Sequence, residues 1–284
     1  MKKIILTLIV VFFTLTAYTQ KKAAYQLYNA TGKKISYKKM LKQLAKADVV
    51  FFGEEHNNPI AHWLEYEVTV DLAKTRQLIL GAEMFETDNQ QGLNDYLLGK
   101  IDAKQFKDTI RFWKNYKTDY KPLVEFAKKN NLKFIATNVP RRYASLVYHK
   151  GFKGLDSLNA DEKQWFPELP IKYDANLPGY VKMLKMMEGH GGKNLPKSQA
   201  LKDVTMAHSI AINYEEGKLF IHYNGSYHSN NFEGILWYLK QQLPQLKIMT
   251  ISLTEQPDIY KLDLKHKNKA NFIIIVPDTM TKTY

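Results

Sequence analysis

The chain has no cysteine among its 284 residues, which excludes disulfides, thiolate metal sites, cysteine nucleophiles and a lipid anchor on a lipobox cysteine. Internal repeats and low-complexity tracts are also absent. Its one long uniformly apolar run, Ile4 to Phe13, is about ten residues, too short to span a bilayer comfortably. That run follows Lys2-Lys3 and precedes Thr14-Leu15-Thr16-Ala17-Tyr18-Thr19-Gln20, so it has the parts of a secretory signal. The expectation is a signal peptide over residues 1–20, cut near Ala17 to Gln20. The product would be an exported, soluble chain in the periplasm or at the cell envelope, not lipidated and without a transmembrane helix.

Acidic residues are few for the number of bases, 28 Asp and Glu against 41 Lys and Arg, for a formal charge of +13. Losing Lys2 and Lys3 with the signal leaves about +11, a balance that favours anionic partners. Nucleic acid is not expected, because the lysines are scattered among acids (Lys33-Lys34, Lys38-Lys39, Lys128-Lys129) and an exported protein rarely meets it. The plain reading of the excess is a lysine-rich solvated surface. The remaining length, roughly 260 residues, is enough for one large α/β domain, expected over 23–284.

Four apolar runs each end in polar or ionisable residues. They are Val49 to Gly53 into Glu54-Glu55-His56, Leu78 to Ala82 into Glu83-Met84-Phe85-Glu86, Phe134 to Thr137 into Asn138-Val139-Pro140-Arg141-Arg142, and Leu219 to Ile221 into His222-Tyr223-Asn224-Gly225-Ser226-Tyr227-His228. Runs of this length, separated by helical patterns, read as buried parallel strands, and ligands of such sheets sit beyond the strands' carboxyl ends. Before them, Tyr25 to Tyr37 reads as a β-hairpin around Asn29-Ala30-Thr31-Gly32, and Lys38 to Lys46 as a short helix. Asn58-Pro59 resembles a helix start, with Asn58 as cap. Helices are also predicted over Asn89 to Leu98 and Lys121 to Asn130, and further strands over Ile248 to Leu253, Tyr260 to Leu264 and Phe272 to Val276. Between Gly151 and Glu215, proline and glycine punctuate short amphipathic pieces, with Met183, Met186, Met187 and Met206 near Gly189-His190-Gly191-Gly192. This stretch, about 151–215, reads as a helical cap with a movable glycine-rich loop. The predicted fold is thus α/β: a central, mostly parallel sheet flanked by helices, with a helical cap over the strand C-terminal ends.

In Gly53-Glu54-Glu55-His56 the glycine permits a tight turn off the strand, and the acids and imidazole are held just before a helix. Carboxylate and imidazole there could bind a metal, orient a water or act as a base; the structural alternative is that the acids favour the helix dipole. Glu83, after a glycine-alanine step in an apolar strand, needs a partner if buried, and Arg141 or Arg142 at the next strand end could supply it. Gly225-Ser226-Tyr227-His228 repeats the Gly-x-x-His spacing on another strand end. His222, inside the strand, reads as a core histidine, and His62, His149 and His266 as surface or packing residues. Most of the 18 tyrosines must be packing residues, although a phenolate is one of the few side chains that ligates ferric haem.

Taken together, these segments resemble the ChaN-like haem-binding proteins, within a wider group that includes the Tiki/TraB proteins and the erythromycin esterases. The match runs through Asp48 to Pro59, Glu83 to Glu86 with Gln90-Gln91, Trp113 to Pro122, Ala136 to Arg141, Lys202 to Ala207, and Gly225 to His228 with Gly234. The resemblance implies haem binding for iron acquisition at the envelope, with tyrosine ligation of iron and a homodimer enclosing stacked haems. Tyr120 is then the first candidate ligand, Tyr227 and His228 stand beside the second Gly-x-x-His, and Arg141 and Arg142 are candidates for the propionates. Tyr227 stands where a glycine commonly precedes the histidine. The alternative function is a metal-dependent hydrolase using Glu54, His56, Glu83 and His228 to activate water, with Glu54, His56 and Glu83 as ligands of a divalent metal. A third reading is an envelope interaction protein whose inherited site is vestigial.

Overall fold

The computed structural model describes residues 22–186 and 192–284. The expected signal peptide, and Met187 with most of the glycine-rich loop, lie outside the described residues. The sheet has seven strands: β1 (Gln26–Asn29), β2 (Val49–Glu54), β3 (Leu78–Glu86), β4 (Lys133–Asn138), β5 (Leu219–Gly225), β6 (Ile248–Gln256) and β7 (Phe272–Pro277). They lie in the order β1-β7-β6-β2-β5-β3-β4, and every pairing is parallel except β1 with β7.

Strand β2 explains why the sequence carries unbroken apolar runs rather than alternation. Val50 and Phe52 pack into the core beneath one face of the sheet, while Val49 and Phe51 pack into the core beneath the other. A strand covered on both faces has no solvent side to make polar. The first face is covered by α1 (Tyr37–Leu44), α2 (Pro59–Ala73), α3 (Gln90–Leu97), α4 (Ala103–Thr109) and α5 (Lys121–Lys129). The second is covered by α6 (Arg141–Lys150), α8 (Pro178–Met186), α9 (Leu195–Asn213) and α10 (Ile235–Gln242), while the short α7 (Ala160–Lys163) buries no residue. Asn58 caps α2, its side chain accepting from the Ile60 and Ala61 amides at 3.0 and 3.2 Å. No helix among the described residues is long and apolar enough to cross a membrane.

Two expected elements differ. The Tyr25 to Tyr37 segment does turn back at Gly32, with φ of 89°, and the Asn29 and Ile35 amides bond the Lys33 and Leu27 carbonyls around one antiparallel bridge from Lys34 to Tyr28, but the returning arm stops there. Ser36 caps α1 immediately afterwards, leaving no length for a second strand, and β1 pairs with β7 instead. Tyr260 to Leu264 is a turn rather than a strand. The Gln256 side chain bonds the carbonyls of Asp258 and Lys261 and the amide of Asp263, so the backbone bonds locally, and Ile259 and Leu262 are buried beside Tyr28.

The segment from 151 to 215 is helical but not uniform in role. The long helix α9 covers the sheet face, with Met206 in the core, whereas α8 and the first turns of α9 overhang the strand ends.

Candidate functional site

Parallel pairing in register places Glu54 opposite Gly225 and Gly53 opposite Asn224, so the two Gly-x-x-His turns leave neighbouring strands side by side. β3 lies next to β5 on the other side and contributes Glu83. Glu54, His56, Glu83 and His228 consequently line one cavity of about 390 Å³, with Gln199, Lys202, Met183, Leu195, Ser226 and Tyr227 around it.

The floor alternates acids and imidazoles. His228 sits between two carboxylates, Nδ1 at 2.5 Å from Asp203 and Nε2 at 3.1 Å from Glu83. Burial pushes the His228 imidazole down, but Glu83 and Asp203 more than offset it and raise it to about 9. Burial likewise opposes ionisation of Glu83, yet the charge and hydrogen bond of His228, then His56 and Lys202, hold its carboxyl well below the usual range. Glu83 also accepts the Gly225 amide at 2.7 Å. His56 Nδ1 lies 2.6 Å from Glu54. Desolvation works against the His56 charge, and the Glu54 bond and the Glu83 and Glu54 charges outweigh it, so the imidazole is raised. The His56 ring meets Trp113 edge-on at 4.9 Å, and its carbonyl accepts from Asn115 at 3.1 Å.

Behind Glu54 the chain of ionisable groups continues into the core. His62 Nδ1 is 3.2 Å from Glu54 and 3.2 Å from Glu65, and Nε2 is 3.3 Å from Asp119. Burial lowers the His62 imidazole, and Glu54 and Glu65 raise it to about 11. Burial raises Glu54 as well, but the bonds from His56 and His62 bring it to about 2. Glu65 is raised well above its usual value, first by burial and then by the Glu54 charge.

Tyr120, the first candidate iron ligand, is placed differently from that expectation. It is buried behind Glu54, to which it donates at 2.8 Å. Burial and the charges of Glu54 and Glu65 raise its phenol far above the usual range, which opposes a phenolate there. Tyr227 is the phenol on the cavity, 54% exposed. Arg141 and Arg142 do not line it. Arg142 pairs with Asp88 at 2.6 Å, and Asp88 with Glu86 also holds Arg111; Lys202 is the cation at the cavity. Glu83 is therefore partnered by His228, not by an arginine. His222 is a core residue, bonded to Thr137 and Asn224 at 2.8 and 3.0 Å.

Sequence reasoning missed His62, Glu65, Gln199 and Asp203. Gln199 and Asp203 stand four residues apart on one face of α9, as do His62 and Glu65 three apart on α2, and polar residues at helical spacing on an otherwise apolar face were the available signal.

Residues 40–239 match the family model described as haem-binding uptake, Tiki superfamily, ChaN. The chain belongs to this family. Among solved structures, ChaN of Campylobacter jejuni, described as showing cofacial heme binding, superposes with a TM-score of 0.65 at 20% identity, over 89% of this chain and 96% of that one. A succinoglycan biosynthesis protein superposes with a TM-score of 0.53 at 13% identity, over 89% and 93% of the two chains. At such identities the likeness to these structures is one of fold. Protein RETICULATA-RELATED 5, chloroplastic, of Arabidopsis thaliana is 30% identical over 126 residues, 42% of this chain and 17% of that protein. This ChaN-family chain thus spans about a sixth of that relative's length.

Proposed function

We propose that this protein binds ferric haem in the cavity at the strand ends and serves iron acquisition as an exported protein of the periplasm or cell envelope. Membership of the haem-binding ChaN family supports the ligand, and the signal-like start supports export. The observation that carries the reading is Tyr227, a phenol on the cavity beside the apolar side chains of Met183 and Leu195 and the cation of Lys202. This donor set suits the group: a phenolate for ferric iron, apolar contact for the macrocycle and an ammonium for a propionate. Tyr227 would hold the iron, Lys202 would meet a propionate, and His228 would stand behind the ligand as a fixed cation. When bound, haem supplies the iron centre; this chain's residues bind and orient it.

The family resemblance implies a homodimer enclosing stacked haems, and a cavity of about 390 Å³, which would leave part of a haem uncovered, is compatible with a second copy over it. The test is titration of the purified apoprotein with hemin, followed by absorption. A saturable, shifted Soret band with a phenolate-to-iron charge-transfer band is expected; non-saturable binding would end the reading.

The second reading, a hydrolase, is favoured by one feature: the His56–Glu54 and His228–Glu83 pairs face a common cavity, where an imidazole and a carboxylate could orient and deprotonate a water. The divalent ion of that reading would be held by Glu54, His56 and Glu83. Ester or peptide hydrolysis lost in His56→Ala, without saturable hemin binding, would replace the first reading with this one.

A further inference from the structure

We infer that Glu54, His62 and Glu65 form a second site, a buried one beneath the cavity floor, that takes a divalent transition cation of the zinc, cobalt or manganese type. It goes beyond haem binding and does not depend on it.

The three donors lie within 4.8 Å of one another and all are buried. Glu65 Oε1 accepts no hydrogen bond, and Glu54 Oε2 has only the poorly directed His62 Nδ1 contact at 3.2 Å, although both residues are almost completely shielded from solvent. Unpaired buried carboxylate oxygens cost several kcal/mol in principle, so they call for a cation or a proton. One imidazole cannot satisfy both acids, because Nδ1 has a single proton to give and faces two carboxylate oxygens at 3.2 Å each.

The other ring nitrogen points to metal. Nε2 donates to the His56 carbonyl at 3.0 Å, the outer bond that ordinarily fixes the tautomer of a metal-binding histidine. That leaves Nδ1 alone to face both acids: its hydrogen bond goes to Glu65 Oε2, and Glu54 Oε2 keeps only a contact at 3.2 Å, so a cation in place of the Nδ1 proton would serve both carboxylates at once. Two carboxylates and a neutral imidazole balance a doubly charged ion. The imidazole nitrogen is 3.2 Å from a carboxylate oxygen of each acid, the spacing of ligands held ~2.1 Å from a common centre. His62 and Glu65 come from one face of α2 and Glu54 from the end of β2. The other Glu54 oxygen, Oε1, is 2.6 Å from His56 Nδ1, so this carboxylate joins the buried site to the cavity.

The test is to load the full-length purified protein with cobalt(II), remove free metal by gel filtration, and count metal per chain. X-ray absorption then reports the ligands. About one equivalent is expected, bound by one imidazole and by carboxylate oxygens. Glu65→Gln and His62→Gln should each weaken retention at least about tenfold, ~1.4 kcal/mol. Glu83→Gln, which alters the cavity and spares the three donors, should retain the ion. No retained metal in the wild type would overturn the inference and leave Glu54 and Glu65 sharing a proton. Two imidazoles at the metal, retention in Glu65→Gln or loss in Glu83→Gln would each overturn it by placing the ion in the cavity. The cavity set of Glu54, His56 and Glu83 also offers one imidazole, so His56→Gln, at a partly exposed residue that can change without unfolding the core, separates the two sites: the ion should be retained in it, and its loss there would overturn the inference.

Discussion

Gly225 and His56 approach so closely that a Cβ on Gly225 would lie 2.7 Å from His56 Nε2. The backbone at Gly225, with φ of −55°, is open to any residue, so this glycine is required by space and not by conformation. Gly225→Ala should keep the fold, because the colliding atoms belong to a side chain that can turn aside. His56 would leave Glu54 and Glu83, and its imidazole would fall back toward the ordinary value. A proton NMR titration of the His56 ring checks this, and an unchanged titration would contradict it. Hemin affinity should fall in the same variant if His56 helps shape the haem cavity.

Asp203 and Glu83 hold the two nitrogens of one imidazole, which makes stability depend on pH in both directions. His228 is raised from 6.5 to about 9, so its contribution is complete below about 6.5 and is lost as pH rises through about 9. Glu83 is depressed from 4.5, so its contribution is complete above about 4.5 and is lost as pH falls. Both are whole between about pH 4.5 and 6.5. Asp203→Asn should lower stability by about 3 kcal/mol, since it leaves a buried pair half broken, and should move the alkaline loss to lower pH. Denaturant unfolding across pH measures both effects.

Asn58 closes the start of α2 and also donates to Glu255 on β6 at 3.0 Å. Asn58→Ala should cost about 1–2 kcal/mol in chemical denaturation, the usual loss for a cap. Asn58→Asp keeps the acceptor for the α2 amides but sets a second acid against Glu255, so it should fall between Ala and the wild type.

The sheet was legible because β2, β3, β4 and β5 are covered on both faces, and that coverage writes itself as short apolar runs. The cavity-lining residues at the ends of β2, β3 and β5 were legible because a polar group after such a run has one edge to go to. Direction was not legible. Tyr120 is near the cavity, yet its hydroxyl turns inward to Glu54, because Glu54 needs donors on both sides. Arg142 does lie in the first turn of a helix at a strand end, but its guanidinium is taken by Asp88. His62 read as a surface or packing residue; it is buried beside the exposed Trp63, and only the three-residue spacing to Glu65 pointed to its acid partner. Asp203 lies 25 residues before His228, a separation at which no local pattern links an acid to an imidazole.

Tyr227 and Tyr120 give opposite expectations in one experiment. Tyr227→Phe removes a hydroxyl on a half-exposed residue at the cavity, so the fold should be untouched. If that phenol ligates iron, the charge-transfer band should vanish and hemin should bind at least about tenfold more weakly, ~1.4 kcal/mol. Tyr120→Phe removes a buried donor to Glu54, so it should lower stability by roughly 1–3 kcal/mol while leaving the band in place. Lys202→Ala should weaken hemin only about threefold, since a partly exposed charge pair is worth less than 1 kcal/mol. A band that survives Tyr227→Phe and disappears in Tyr120→Phe would mean that the inward phenol turns outward when haem binds, and the assignment of Tyr227 would be wrong.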